Sequence, residues 1–219
     1  MNSFTEENYL KAIFKLSKGK PEVSTNAVAE EMSTKASSVT DMLKKLADKK
    51  LVNYAPYKGV NLTESGKKIA ISIIRKHRLW EVFLVEKLDF KWDEVHDIAE
   101  QLEHIQSEEL VERLDQFLEN PKYDPHGDPI PDKHGNIARH KELTLADLKV
   151  GDQGIVIGVK EHSKSFLNYL DQLELVLGTE VEILDKVEFD NSMFLKINKK
   201  SESTVSNQAS KNLYIKKSN

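Results

Sequence analysis

Cysteine is absent from the 219-residue chain. That absence excludes disulfide scaffolds, thiolate zinc sites, iron–sulfur clusters and cysteine nucleophiles, and it fits a reducing compartment. Any metal held here is held by nitrogen and oxygen ligands. Long apolar runs are also missing, so no segment is expected to span a bilayer. The opening MNSFTEENYLKAIFKL has neither the basic leader nor the apolar core of a secretion signal. A soluble, cytoplasmic protein without membrane contact is the expectation. Gly-rich phosphate loops and the HExxH and GxSxG motifs are absent too, which removes the commonest signatures of nucleotide, zinc-protease and serine-hydrolase chemistry. Proline is scarce: four of the six (Pro121, Pro125, Pro129, Pro131) fall in PKYDPHGDPIPDKHGNIARHKE, which reads as a connector.

Charge is plentiful but unevenly placed. Residues 1–80 carry 15 Lys/Arg against 8 Asp/Glu, or +7, so the remainder of a chain with net charge −4 carries −11. A basic front on an acidic protein points to a polyanion-binding module joined to something that does not touch the polyanion.

Hydrophobic spacing supplies the architecture. Tyr9, Leu10, Ile13, Phe14 and Leu16 recur at helical intervals over Glu6 to Ser17, with Gly19 and Pro21 closing the segment. Ser24 caps a short helix over Asn26 to Met32, and Val39, Met42, Leu43 and Leu46 line a longer one over Ser37 to Lys49. That pair is a helix-turn-helix. Two short β runs, Leu51 to Tyr54 and Val60 to Leu62, flank the turn residues Pro56, Lys58 and Gly59 and read as a wing, after which Thr63 caps the next helix. From Gly66 to Leu118 the pattern stays helical, broken at Asp89 to Trp92. Beyond the connector, GDQGIVIGVKE, TEVEILDKVEF and SMFLKINK alternate as strands do, with a helical turn at Phe166 to Leu175, a Ser/Asn/Lys-rich loop over Lys199 to Lys211 and a last strand at Leu213 to Lys216. The expected class is α+β, mainly α: a winged helix-turn-helix over 1–74, a helical domain over 75–120, the connector over 121–142 and a small SH3-like β-barrel over 143–219.

Six ligand-type side chains stand at helical spacing. His77 and Glu81 are four apart; His96, Glu100 and His104 are spaced by four, with Glu103 beside them. Imidazole and carboxylate without thiolate suit a divalent first-row ion such as Mn(II) or Fe(II). The other reading of such residues is a solvated face paired with local lysines, and His126, His134 and His140 are read as surface residues.

RKHRLWEVFL, VHDIAEQLEHIQSEELVERL and DPHGDPIP, in that order, resemble the diphtheria toxin repressor and manganese transport regulator family of metal-dependent repressors. The helix SSVTDMLKKLADKKLV, the wing YAPYKGVNLTESG and LTLADLKVGDQG, similar to that family's SH3-like FeoA-type domain, extend the resemblance along nearly the whole chain. It implies one metal site from His77, Glu81 and His96, and a second from Glu100, Glu103 and His104 with a first-helix ligand at Asn8. Glu100 matches manganese-sensing members, where iron-sensing ones have Cys. Asn8 departs from the Asp or Met found there but retains an amide oxygen. Lys11 stands where some manganese sensors place a Glu, which argues against a binuclear site. Some members draw further ligands from the barrel, where Glu161 and His162 lie, although a plain loop histidine is the alternative there.

For DNA, Lys35, Ser37, Ser38, Thr40 and Asp41 are expected at the groove, Lys44 and Lys45 near phosphates, and Lys58 on the wing. The expected function is a metal-gated repressor acting as a homodimer on double-stranded operator DNA. Without metal, the carboxylates would repel one another and hold the ligand helices apart. Two rivals remain: a winged-helix regulator answering a small organic ligand, indifferent to chelator, and a carboxylate/His metalloenzyme. Glu100-x-x-Glu103-His104 departs from the paired Glu-x-x-His of the latter.

Overall fold

Ser3 starts the first helix by a capping box: its side chain accepts from the Glu6 amide while the Glu6 carboxylate accepts from the Ser3 amide. In this computed structural model, which describes residues 3–17, 20–56, 58–138 and 143–218, α1 therefore spans Phe4–Leu16, two residues ahead of the apolar pattern. Gly19 and His140 lie outside the described residues. The chain divides into two compact units, one of Met1–His77, Glu100–Glu112 and Pro131–Ile137, the other of Arg78–Ala99, Arg113–Ile130 and Ala138–Asn219.

In the first unit, α2 (Thr25–Glu31) is capped by Ser24, whose hydroxyl accepts from the Ala27 amide, and α3 (Ala36–Asp48) follows a short turn. β1 (Val52–Ala55) and β2 (Gly59–Leu62) pair antiparallel with Val52 opposite Leu62, and Val23 bridges Val60, so the expected wing is present. Leu10, Ile13, Val28, Val39, Leu43, Leu46 and Val60 form one buried core shared by α1, α2, α3 and the wing. Thr63 caps α4 (Glu64–Leu88), accepting from the Gly66 amide.

The helical stretch breaks twice. Asp89, with φ 56°, ends α4 as expected. The second break was not expected: α5 (His96–Leu102) stops before Glu103, and α6 (Glu108–Phe117) starts after Ser107, whose hydroxyl accepts from the Leu110 amide. Glu103 and His104 therefore sit in a turn and are not carried on a helix face.

In the second unit, β3 (Gln153–Val159), β4 (Glu180–Lys186), β5 (Met193–Ile197), β6 (Ser201–Val205) and β7 (Leu213–Lys217) form an antiparallel sheet in the order β6-β5-β4-β3-β7. Among the described residues no ladder joins β6 to β7, so the sheet is open at its edges. α7 (Lys164–Gln172) covers it, and Val156, Leu167, Leu170, Ile183, Leu195 and Ile215 fill the core. The segment expected as a loop over Lys199 to Lys211 instead holds β6 and α8 (Asn207–Ser210). Asn198 and Lys199, at φ 48° and 60°, make the tight turn that folds β6 back on β5.

The described part of the connector, residues 121–138, holds two successive turns of the same design. Asp124 accepts from the amides of His126 and Asp128, and Asp132 accepts from those of His134 and Asn136. Gly127, at φ 85°, packs so closely on Ile157 and Gly158 that a Cβ would fall onto the Ile157 carbonyl oxygen. The Val159 amide donates to the His126 carbonyl at 2.9 Å, so the connector is seated on the end of β3.

Candidate metal centres and nucleic-acid interface

Among the described residues, nitrogen and oxygen donors cluster within each unit. In the first unit, His77, near the middle of α4, brings Nδ1 to 2.6 Å from Glu103 Oε2. Lys11 Nζ donates to Glu103 Oε1 at 2.5 Å and to Glu100 Oε1 at 3.1 Å. His104 Nδ1 lies 2.7 Å from Glu7 Oε2, and Gln106 donates to the other Glu7 oxygen at 2.8 Å. Phe4 stacks on the His104 ring at 4.6 Å. Glu103 has no exposed side-chain surface and Lys11 only 7%. Burial pushes the Glu103 carboxyl up, but hydrogen bonding to His77 and the charges of Lys11 and His77 outweigh it, and the group is held below the usual carboxylate range.

Of the six expected ligands, His77 reaches Glu103 and Glu103 lies beside His104 in this cluster, and Glu7, which the sequence reading passed over, reaches His104. Asn8, the expected first-helix ligand, has a buried Oδ1 with no hydrogen-bond partner. A buried amide oxygen without a partner, one residue from Glu7 on α1, is a donor type that suits a hard divalent ion. The expected self-repulsion of bare carboxylates is corrected here: the chain's own Lys11 already stands between Glu100 and Glu103.

In the second unit, Glu81 Oε1 is 3.5 Å from His96 Nδ1, and Glu81 Oε2 is 3.6 Å from His126 Nδ1. Asp124 completes a set whose ligand atoms with Glu81 and His126 lie within 4.8 Å of one another. His126 is 2% exposed, so the reading of it as a surface residue is wrong; the Asp124 turn folds it inward, where Nε2 meets the Trp92 carbonyl at 2.8 Å. Burial lowers the His126 pKa, but hydrogen bonding to Glu81 and the charges of Glu81 and Asp124 raise it to about 9. Burial and the Glu81 and Asp128 charges push Asp124 upward against the pull of Arg78, whose guanidinium is 2.7 Å from Asp128 and 3.4 Å from Asp124. The His162 ring lies 5.0 Å from that of His126, with its own pKa lowered by burial, whereas Glu161 turns to accept from the Ser163 amide. His134 is exposed, as expected. The D-x-H-G pattern shared by Asp124 and Asp132 was the available signal for an ordered connector.

On the nucleic-acid side, Lys35, Ser37, Ser38, Asp41 and Lys44 are exposed on or before the first turns of α3, and Lys58 is exposed on the wing. Thr40 is half-buried and its hydroxyl donates to the Ala36 carbonyl at 2.9 Å, and Asp41 lies 3.7 Å from Lys44. A cleft of about 550 Å³ is lined by Asn26, Thr40, Lys44, Tyr54 and Lys58, so recognition helix and wing face one space. Lys45 is turned away: it and Lys49 hold the buried Glu6 of α1 at 3.1 and 2.8 Å.

The comparisons with known proteins agree along the chain. Residues 2–60 match the iron dependent repressor N-terminal DNA binding domain, residues 63–132 the iron dependent repressor metal binding and dimerisation domain, and residues 143–217 the FeoA domain. The diphtheria toxin repressor of Corynebacterium glutamicum is 31% identical over 193 residues, covering 83% of this chain and 84% of that one. The iron-dependent repressor IdeR of Mycobacterium tuberculosis is 35% identical over 127 residues, 58% of this chain and 55% of that protein. Over that match the chain spans about half the length of the mycobacterial relatives. A solved manganese-dependent transcriptional repressor in complex with manganese superposes with a TM-score of 0.85 at 33% identity, covering 96% of this chain and 98% of that one. These relatives are DNA-binding repressors and not enzymes.

Proposed function

The chain belongs to the iron-dependent repressor family, and from that premise we propose that it is a transcriptional repressor whose hold on operator DNA depends on Mn(II) or Fe(II). The observation that carries this reading is the convergence of Glu7, His77, Glu100, Glu103 and His104 in one linked cluster, because Glu7, with Asn8 beside it, belongs to the first helix of the DNA-reading fold. Those six are the proposed donors of one site, and Glu81, His96, Asp124 and His126 those of a second. When bound, a divalent ion supplies the positive charge that such carboxylates attract.

The chain's own residues convert that into DNA binding. Glu7 fixes the His104 ring by a charge-assisted hydrogen bond, joining α1 to the turn after α5. Glu6 ties the same helix to α3 through Lys45 and Lys49, and Leu10 and Ile13 share a core with Leu43 and Leu46. Whatever orders α1 therefore orders α3, which presents Ser37, Ser38, Asp41 and Lys44 to a major groove with Lys35 and Lys58 at the backbone. Thr40, bonded to its own helix, contributes through its position.

The proposed partner on the other side is a second copy of the chain. Phe117 is 62% exposed, with Phe83 at 6.4 Å, and Leu88 and Phe90 are also exposed in that unit. The proposed division is a winged helix over 1–74, a helical domain over 75–120, a connector over 121–142 and a FeoA-type domain over 143–219. No described helix is long and apolar enough to cross a membrane, and a repressor's place is with the cytoplasmic DNA.

The test is fluorescence anisotropy with DNA from the chain's own promoter, at fixed salt because phosphate binding is steeply salt-dependent. Mn(II) or anaerobic Fe(II) is expected to tighten binding over chelator in the wild type, and Glu103→Ala and His104→Ala to abolish the gain. Equal binding with chelator and metal overturns the proposal.

A further inference from the structure

Among the described residues, Lys11 is the ammonium in the first cluster with two carboxylates as direct partners. Its Nζ meets Glu100 Oε1 at 3.1 Å and Glu103 Oε1 at 2.5 Å, and its side chain is 7% exposed. Burying an ammonium is costly unless carboxylates are held against it, so this placement is built by the fold and is not a loose surface pairing. The oxygen it grips is also the one that faces the other donors: Glu103 Oε1 lies 3.7 Å from His104 Nε2, while the second Glu103 oxygen is engaged by His77. Glu100 Oε1 and Glu103 Oε1 therefore converge on the point that the ammonium already occupies, with His104 Nε2 beside Glu103 Oε1.

A divalent ion and an ammonium cannot share that pair of oxygens. Two cations a few ångströms apart in a poorly solvated site repel strongly, and Glu103 Oε1 cannot serve both at full strength. We infer that Lys11 is a tethered competitor for the ion: occupation of the Glu100–Glu103 pair is an exchange in which Nζ withdraws, and Lys11 thereby sets the ion concentration at which the site fills. The inference rests on the proposed metal-dependent reading and adds its regulation.

The test joins two readouts on the full chain at fixed pH. In the first, the protein is pulse-labelled with an amine-acylating reagent with chelator or saturating Mn(II), and Lys11 is followed by peptide mass spectrometry. Lys11 is expected to be protected with chelator and labelled severalfold faster with Mn(II), with Lys44 and Lys58 as exposed references. In the second, Mn(II) affinity is measured by competition with a chromophoric chelator. Lys11→Met is expected to bind Mn(II) severalfold more tightly than wild type, and Lys11→Arg, whose guanidinium grips two carboxylates better, more weakly. If Lys11→Met does not fold, Lys11→Arg and the labelling still decide. Glu103→Ala separates the two levels of argument. If it leaves Mn(II) binding unchanged, the ion does not bind there, and the site assignment falls together with this inference. If it abolishes one class of bound Mn(II) while Lys11 stays protected and Lys11→Met binds like wild type, the exchange alone is overturned.

Discussion

Glu7 Oε2 and His104 Nδ1 lie 2.7 Å apart although ninety-seven positions separate them in the chain. The contact holds an imidazole by its Nδ1 and leaves Nε2 facing Glu103, which fixes the tautomer able to offer a lone pair on the Glu103 side. Glu7→Gln removes the charge that sets this orientation. Mn(II) affinity is expected to fall by about 10- to 100-fold, with the far-ultraviolet circular dichroism unchanged. Wild-type affinity in a folded Glu7→Gln protein would remove Glu7 from the site.

Glu6, one position earlier, has a different task. Burial raises its carboxyl pKa, but hydrogen bonds from Lys49, the Ser3 amide and Lys45 bring it from an ordinary 4.5 to about 2. A carboxylate with a depressed folded pKa stabilises the fold fully above its unfolded value, and that contribution is lost as pH falls from about 4.5 toward 2. Because both ammoniums are partly solvated, the contribution is about 1 kcal/mol at neutral pH. Chelated wild type is expected to unfold at higher urea than Glu6→Gln at pH 7, with the gap narrowing as pH falls below about 4.5 and closing toward pH 2. A gap that persists or widens on acidification would contradict the ion-pair account.

Much of this architecture is written in periodicity. Leu10, Ile13, Leu43 and Leu46 announce α1 and α3 through helical spacing, Thr63 announces α4 by its cap, and Val181, Ile183, Leu195 and Ile197 announce strands by alternation. What escaped has physical reasons. SESTV is an edge strand that buries only Val205, so its polar composition conceals β6. The break after Leu102 involves no glycine or proline, so helical spacing carried Glu103 and His104 onto a helix that has already ended. Glu7 and Asn8 are neighbours pointing about 100° apart on a helix, and only tertiary packing decides which one meets His104. His126 looked superficial because its burial depends on an Asp-initiated turn and on the β3 edge that receives it.

Phe117 offers a test of assembly. Its ring is 62% exposed, lies 6.4 Å from Phe83, and has Lys87 Nζ 5.7 Å from its centroid. An aromatic exposed to this degree on the domain matched to dimerisation has its apolar area available to a second copy. Phe117→Asp places a charge in that contact and is expected to weaken self-association by about 2 kcal/mol, read by sedimentation equilibrium. DNA affinity is expected to fall in parallel, because half-sites would then be bound singly. A variant that sediments like wild type would show that the dimer uses another face.

Gly127 tests whether the connector's seat on the sheet builds the second cluster. At φ 85° the residue already stands where side chains are strained, and a Cβ would meet the Ile157 carbonyl oxygen and the Gly158 α-carbon, neither of which can yield as a side-chain tip would. Gly127→Ala must therefore lift the turn from β3, weakening the bond from the Val159 amide to the His126 carbonyl and drawing His126 away from Glu81. The strain amounts to about 1–3 kcal/mol. With Glu81, Asp124 and His126 no longer held together, one class of bound Mn(II) is expected to disappear from equilibrium dialysis. The class that depends on Glu103 and His104 should remain, because it is built from residues of the other unit. If both classes vanish, the two clusters are energetically one; if both survive, Asp124 and His126 hold no ion, and their burial serves only to anchor the connector.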